Sequence, residues 1–199
     1  MASVLHWLPV IISCLSVIIS CLSVTLSLIA FAWQVHRARF TQSIDLLLRF
    51  EANFFGPEKR EQRARAAAGM LREPPEFQEA EDILDFFETI ALLCRRKALD
   101  RYMLWHTFYY WVDRYYEAAK GYIEEHRRTE PTVWQDIGPF VARLRKLQKQ
   151  KAGLASLAQT IPSGEEIASF LREERAEGRT GQSEETALAA SPKGAKDIV

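Results

Sequence analysis

The sequence predicts an all-α protein with a single N-terminal transmembrane helix that continues into a cytosolic antiparallel helical bundle and a disordered C-terminal tail. Three observations support this class. Residues 1–35 contain no Lys, Arg, Asp or Glu. The remaining residues are rich in Leu, Ala, Glu and Arg, which favour helices. No segment shows a convincing strand pattern, and Pro-marked turns separate the helical segments.

We predict four parts in the chain. A transmembrane anchor covers 1–35 and a helical bundle covers 36–152. A linker with a short amphipathic helix covers 153–177, and a disordered tail covers 178–199, where large apolar residues are almost absent.

The segment "VIISCLSVIISCLSVTLSLIAFAW" exceeds the roughly 20 residues that a helix needs to cross a bilayer. Trp7 and Trp33 bracket it, as aromatic residues do at membrane interfaces. A secretory signal peptide is the alternative, but the N-terminal flank has no positive charge and the apolar run is long. The basic residues Arg37 and Arg39 follow the segment. They predict an inner-membrane protein with its N-terminus outside and its C-terminal domain cytoplasmic.

The heptad "VIISCLS" occurs twice in this segment and places small residues at alternating intervals of three and four. Such residues share one helix face and allow two backbones to approach closely. They predict a packing seam for self-association or for another membrane protein. Alternatively, tandem duplication of a short DNA unit simply supplied apolar length. The seam consists of Ser13, Ser16, Ser20, Ser23, Ser27 and Ala30.

The first helix should continue past the apolar segment through "QVHRARFTQSIDLLLRFEANFF" to the breaker Gly56-Pro57. Two further helices follow, "PEKREQRARAAAGML" and "EAEDILDFFETIALLCRRKAL". Asp100 is then placed to cap the helix that starts at "RYMLW".

The chain after residue 129 predicts two more helices. Gly138-Pro139 suggests a kink in "TVWQDIGPFVARLRKLQKQK". Ser163 and Glu166 form a capping-box pair before the short helix "IASFLREERAE".

The segments "FEANFFGPEKREQRARAAAGML" and "ILDFFETIALLCRRKALDRYMLWHTFYYWV" resemble an uncharacterised bacterial family, the domain of unknown function number four-seven-six-zero. The resemblance lies in the apolar "DFFE" segment 85–88, the "LLxRRxxLD" segment 92–100 and the aromatic segment 105–111. It covers roughly residues 10 to 150. It implies an N-terminal transmembrane helix and a helical cytosolic domain. It implies no activity, so no functional residue is carried over.

The sequence predicts no catalytic set, cofactor or metal site. A buried Glu88 with a raised pKa would be a catalytic candidate, although a structural or exposed ion pair is the better explanation of this residue. His106 and Arg114 would join Glu88 if the bundle held an enzymatic cleft. His106 and Asp113 share a helix face but make only half of a possible metal site.

The aromatic helix after Asp100 carries Trp and Tyr on nearly all sides, which is typical of a helix in the centre of a bundle. A stacking surface for a base or a partner helix is the alternative reading.

Basic clusters at 37–39, 59–65 and 143–151 could face anionic lipid, with the acidic run 76–88 as an internal or intersubunit counterpart. The simpler alternative is that all of them are solvated helix faces.

We therefore predict a single-pass, membrane-anchored interaction or assembly protein that associates with itself or with another membrane protein in the lipid bilayer. No small-molecule ligand is evident. Nucleic acid is not an expected partner, because 26 basic and 26 acidic residues give no net charge. A membrane-tethered enzyme or stress- or phage-response effector is the first alternative. A peripheral adaptor that reads lipid or nucleic acid through its basic helices is the second.

Overall fold

The computed structural model describes the backbone of residues 2–189 and the side chains of residues 20, 22–35, 37–38 and 40–178. Every regular element in this part of the chain is helical. The chain forms two compact units, residues 1–44 and 45–199. The elements are α1 (Ala2–Phe55), α2 (Pro57–Met70), α3 (Gln78–Arg95), α4 (Arg101–Thr129), α5 (Ile137–Ala152), a short 3₁₀ turn (Leu157–Thr160) and α6 (Gly164–Ala189).

The predicted fold class is wrong in its transmembrane helix. Over the residues that the structure describes, no helix combines the length and the apolar character that crossing a bilayer requires. The described side chains of the predicted anchor are those of residues 20 and 22–35. The rest of the predicted anchor, 1–19 and Cys21, lies outside the described side chains. The all-α class and the helical bundle are confirmed.

Local sequence signals set most helix boundaries as predicted. Helix α1 ends just before Gly56, and Pro57 takes the first position of α2, where its missing N–H costs nothing. The Asp100 carboxylate accepts hydrogen bonds from the amides of Tyr102 and Met103 at 2.9 and 3.0 Å. The predicted break at Gly56-Pro57 and the predicted Asp100 cap of α4 are therefore confirmed.

The two C-terminal helices differ from their predicted forms. Helix α5 begins at Ile137, so Pro139 lies in its first turn and does not kink its interior. The capping box of α6 is confirmed, because Ser163 and Glu166 exchange hydrogen bonds of 2.7 and 3.3 Å. Helix α6 then continues to Ala189, well beyond the predicted short helix and into the predicted tail. Residues 190–199 lie outside the described part of the chain.

The core of the second unit surrounds Phe54, which is fully buried in the last turn of α1. Its ring lies 5.2 to 5.9 Å from five other aromatic rings on α1, α3 and α4. Aromatic pairs at such distances add roughly 0.5–1.5 kcal/mol each to the free energy gained by burying their area. The aromatic helix α4 is thus a core helix, as its sequence predicted. The five partners are Phe55, Phe86, Phe87, Phe108 and Trp111.

Helices α2 and α6 pack closely because small residues line their contact. Ala64, Ala66 and Ala67 are buried on α2. A Cβ atom added to Gly178 on α6 would lie only 2.2 Å from the Cβ of Ala64, so only glycine fits there without a shift. This contact makes α6 part of the bundle.

A buried charge crosses the same contact. The Arg63 side chain on α2 is 2 % exposed, and its Nε lies 3.3 Å from Oε2 of Glu174 on α6, itself 5 % exposed. Glu174 also accepts hydrogen bonds from the Tyr115 hydroxyl at 2.8 Å and the Trp111 indole at 3.3 Å. The guanidinium lies 4.4 Å from the centre of the Phe54 ring, so it is matched by a carboxylate and an aromatic face.

We expect Glu174→Gln to lower the free energy of unfolding by about 3–5 kcal/mol, because it removes the buried countercharge of Arg63. Urea denaturation followed by circular dichroism measures this loss. The matched control is Glu177→Gln. Glu177 lies 3.6 Å from the same guanidinium but is 60 % exposed, so its loss should cost less than about 1 kcal/mol. Equal losses in the two variants would contradict the assignment of Glu174 as the essential partner.

Candidate functional site

Helix α1 presents an unusual run of exposed apolar side chains in the first unit. Seven large apolar residues between positions 22 and 33 are each at least 60 % exposed. Contiguous apolar surface of this kind marks an interaction site in a folded protein. We call this run the apolar stretch, and it consists of Leu22, Val24, Leu26, Leu28, Ile29, Phe31 and Trp33.

The described part of the predicted serine seam lies on the same part of helix α1 as the apolar stretch. Ser20, Ser23, Ser27 and Ala30 are all exposed. The Ser27 hydroxyl donates a 2.9 Å hydrogen bond to the backbone carbonyl of Ser23. A serine satisfied by its own helix can enter an apolar contact without losing its hydrogen bond. Ser13 and Ser16 lie outside the described side chains.

Arg37 and Arg39 are the two basic residues that the sequence predicts beside a membrane. The guanidinium of Arg37 lies 5.4 Å from the centre of the Trp33 ring, a cation–π contact within helix α1. The side chain of Arg39 lies outside the described residues.

Glu88 contacts the start of helix α5. Its carboxylate accepts hydrogen bonds of 2.8 to 3.0 Å from the amides of Asp136 and Ile137. Burial raises the pKa of Glu88, and these two amides oppose that rise. The amides at a helix start need acceptors, so the geometry gives Glu88 a structural role in beginning α5.

The other two candidates lie apart from Glu88. His106 is exposed on α4, with its ring 6.3 Å from that of Trp105. Arg114 lies over the Tyr110 ring at 3.8 Å and lines a separate cleft that includes neither Glu88 nor His106. The three residues are not brought into one site among the described contacts.

That cleft lies between α4, the end of α5 and the 3₁₀ turn, and it has a volume of about 170 Å³. Its polar lining includes Tyr109, Asp113, Arg114, Gln148 and Glu166. The Tyr109 hydroxyl donates a 3.2 Å hydrogen bond to the carbonyl of Thr160, which ties α4 to the turn.

Asp113 in the wall of the cleft belongs to a buried charge cluster that the sequence did not predict. Nε and Nη2 of Arg145 both lie 2.6 Å from Oδ1 of Asp113, and Nη2 is 2.8 Å from the Glu117 carboxylate. Burial raises the pKa of Asp113 to about 6, although Arg145 opposes that rise. The spacing of Asp113 and Glu117, one turn apart on a core helix, was the signal that could have found this cluster.

Metal binding has no support in the described geometry. Among the residues whose side chains the structure describes, no three His, Cys, Asp or Glu side chains gather as metal ligands would. In particular, Asp113 faces Arg145 and is not paired with His106, its partner in the predicted half-site.

Comparison with known proteins gives one match. A family model described as a domain of unknown function (DUF4760) matches residues 17–157, which is well over half of the chain. No curated protein and no solved structure matches the chain.

The titration of Asp113 should make the fold less stable as the pH rises from about 4 to about 6. The folded pKa of about 6 lies above the ordinary 3.8. In that window the folded chain keeps a proton that the unfolded chain has lost, so stability falls with rising pH. The free energy of unfolding of the parent chain, relative to that of Asp113→Asn, should fall by roughly 3 kcal/mol across this window. Urea denaturation at several pH values measures this difference.

Glu166→Gln is the control on the same cleft. The hydrogen bonds from Ser163 lower the pKa of Glu166. The free energy of unfolding of the parent chain, relative to that of Glu166→Gln, should therefore rise with pH. The free energy of unfolding relative to Asp113→Asn could instead stay constant or rise between about pH 4 and 6. That result would contradict a folded pKa of Asp113 above its ordinary value.

Proposed function

Since the chain belongs to the DUF4760 family, whose description names no activity, we propose a function from its geometry: it is a helical assembly protein that associates with copies of itself through α1. The observation that supports this most strongly is the apolar stretch, with seven large side chains at least 60 % exposed. Burying one such side chain contributes about 1.5–3 kcal/mol, so covering part of the stretch supplies a substantial association energy.

The small residues on α1 favour a second α1 as the covering surface. Ser20, Ser23, Ser27 and Ala30 follow intervals of three and four, the spacing of a left-handed helix pair. Their small side chains allow two backbones to approach, and the large residues beside them then pack around the contact. A stripe that is complementary to itself fits a two-fold symmetric pair, in which both copies use the same residues.

A second candidate function is that of a ligand-dependent enzyme or effector acting through the bundle. The observation that favours it is the cleft at Asp113, where a buried acid with a raised pKa adjoins a polar cavity. A thermal-shift screen of the full chain with small polar compounds would test this function. A compound that stabilises the parent chain but not Asp113→Asn would favour it.

The predicted inner-membrane location stays a prediction. So does the choice between a homo-oligomer and another membrane protein as the partner, and the proposal commits to the homo-oligomer because the stripe is self-complementary.

We expect the double variant Ser23→Leu/Ser27→Leu to weaken self-association at least tenfold, because leucine side chains separate the two backbones. The control is Thr25→Leu/Ala32→Leu, which enlarges two small side chains on the opposite face of the same helix and changes no member of the apolar stretch. The control should associate like the parent chain. Analytical ultracentrifugation of the full chain in a mild non-ionic detergent gives the dissociation constants.

Two results would overturn the proposal. The parent chain could sediment as a monomer over the whole accessible concentration range. Alternatively, the two double variants could weaken association equally, which would mean that the serine face has no special part in the contact.

A further inference from the structure

The acidic run of α3 contacts α2, the residues just before α5 and the start of α5. Glu79 pairs with Arg65 of α2 at 3.3 Å, and Asp82 accepts a hydrogen bond from Gln62. Asp85 accepts a 2.7 Å hydrogen bond from the Trp134 indole, and Glu88 caps α5. The predicted internal counterpart of the basic residues on α2 is thus present.

A second group of cations has no such counterpart. It lies at one end of the bundle, where α3 ends, α4 begins and α5 ends. All five members are exposed, and no ion pair is described for any of them. We call this group the basic end, and it consists of Arg96, Lys97, Arg101, Arg143 and Lys151.

Contacts between the helices show that these residues share one surface. The guanidiniums of Arg143 and Arg101 both lie close enough to Cys94 to oppose the rise in its pKa that burial causes. Nζ of Lys151 lies 4.9 Å from the centre of the Tyr102 ring, next in the chain to Arg101. Arg96 and Lys97 form the turn that joins Cys94 to the start of α4.

Two nearby acids leave a surplus of positive charge, because Asp136 is paired outside the group and Asp100 alone does not offset five cations. Asp100 accepts hydrogen bonds from the first amides of α4, and Asp136 pairs with Arg95 at 3.1 Å. Five clustered cations therefore create a positive field on a chain without net charge. The partner that fits such a surface is a polyanion.

The aromatic residues of this end favour lipid over nucleic acid. Binding of a single strand needs open ring faces on which bases stack. Here Lys151 lies over the Tyr102 ring, and Trp105 lies beside it at 5.5 Å with its indole donating to Gln148. Phospholipid headgroups require only exposed cations, each of which gains about 1 kcal/mol near an anionic membrane surface.

We propose that the basic end binds the anionic phospholipid headgroups of a membrane surface. This goes beyond self-association through α1 and rests on different residues. It requires contact with the surface only, and no helix has to cross the bilayer.

Flotation of the full chain with vesicles tests the proposal. The probes are phosphatidylcholine vesicles with and without phosphatidylglycerol, and the readout is the increase in bound protein that phosphatidylglycerol causes. Because this increase depends on phosphatidylglycerol, it distinguishes binding by the basic end from apolar binding through α1. We expect Arg101→Gln/Arg143→Gln/Lys151→Gln to lower the phosphatidylglycerol-dependent partition coefficient roughly 100-fold at low salt.

The matched control is Lys120→Gln/Arg127→Gln/Arg172→Gln, which removes the same charge from exposed positions on the later part of α4 and on α6. This control variant should keep most of the phosphatidylglycerol-dependent increase in bound protein. Circular dichroism must show the parent's helical content in both triple variants, and single changes replace any triple variant that fails to fold.

Three outcomes would overturn the proposal: no increment for the parent chain, equal losses in both triple variants, or tighter binding of a single-stranded oligonucleotide with the same dependence on the basic end. The last outcome would identify the partner as nucleic acid.

Discussion

The bundle depends on one buried guanidinium. Arg63 lies where α2, α4, α6 and the end of α1 meet, and an unpaired charge at this depth would cost several kcal/mol. Helix α6 must therefore bring Glu174 to the position it occupies. Glu174 in turn needs the Tyr115 hydroxyl and the Trp111 indole, which fixes α4. The close approach at Gly178 brings α6 against α2, so that the two charges can meet.

This constraint explains which parts of the fold the sequence could predict. Caps and breakers act over a few residues, so Gly56-Pro57, Asp100 and the Ser163/Glu166 pair could be read locally. The partners Arg63 and Glu174 lie more than a hundred residues apart, and nothing local connects them. The same limit applies to the length of α6, because polar residues that suggest a solvated tail also suit the exposed face of a packed helix.

The candidate sites also differ in whether a local pattern in the sequence can predict them. The serine seam rests on a periodic signal in the sequence and stays a prediction, whereas the charge cluster of Asp113, Glu117 and Arg145 depends on how α4 and α5 pack. Single residues with reactive side chains did not identify a catalytic site, because Glu88 caps a helix and His106 is exposed. The transmembrane prediction relied on the apolar length of the sequence, and it is wrong over the described residues, where no helix is long and apolar enough to cross a bilayer.

A net charge of zero also conceals how charges are distributed. The acids of α3 contact α2, α4 and the start of α5, so equal numbers of acidic and basic residues still leave a surplus of positive charge at the basic end. Self-association through α1 would place several such surfaces in one assembly. Binding sites that are linked in this way act together, because the second site binds at the high effective concentration that the first creates. A modest attraction for each copy would then become firm binding of the assembly, provided that several basic ends can reach one surface together.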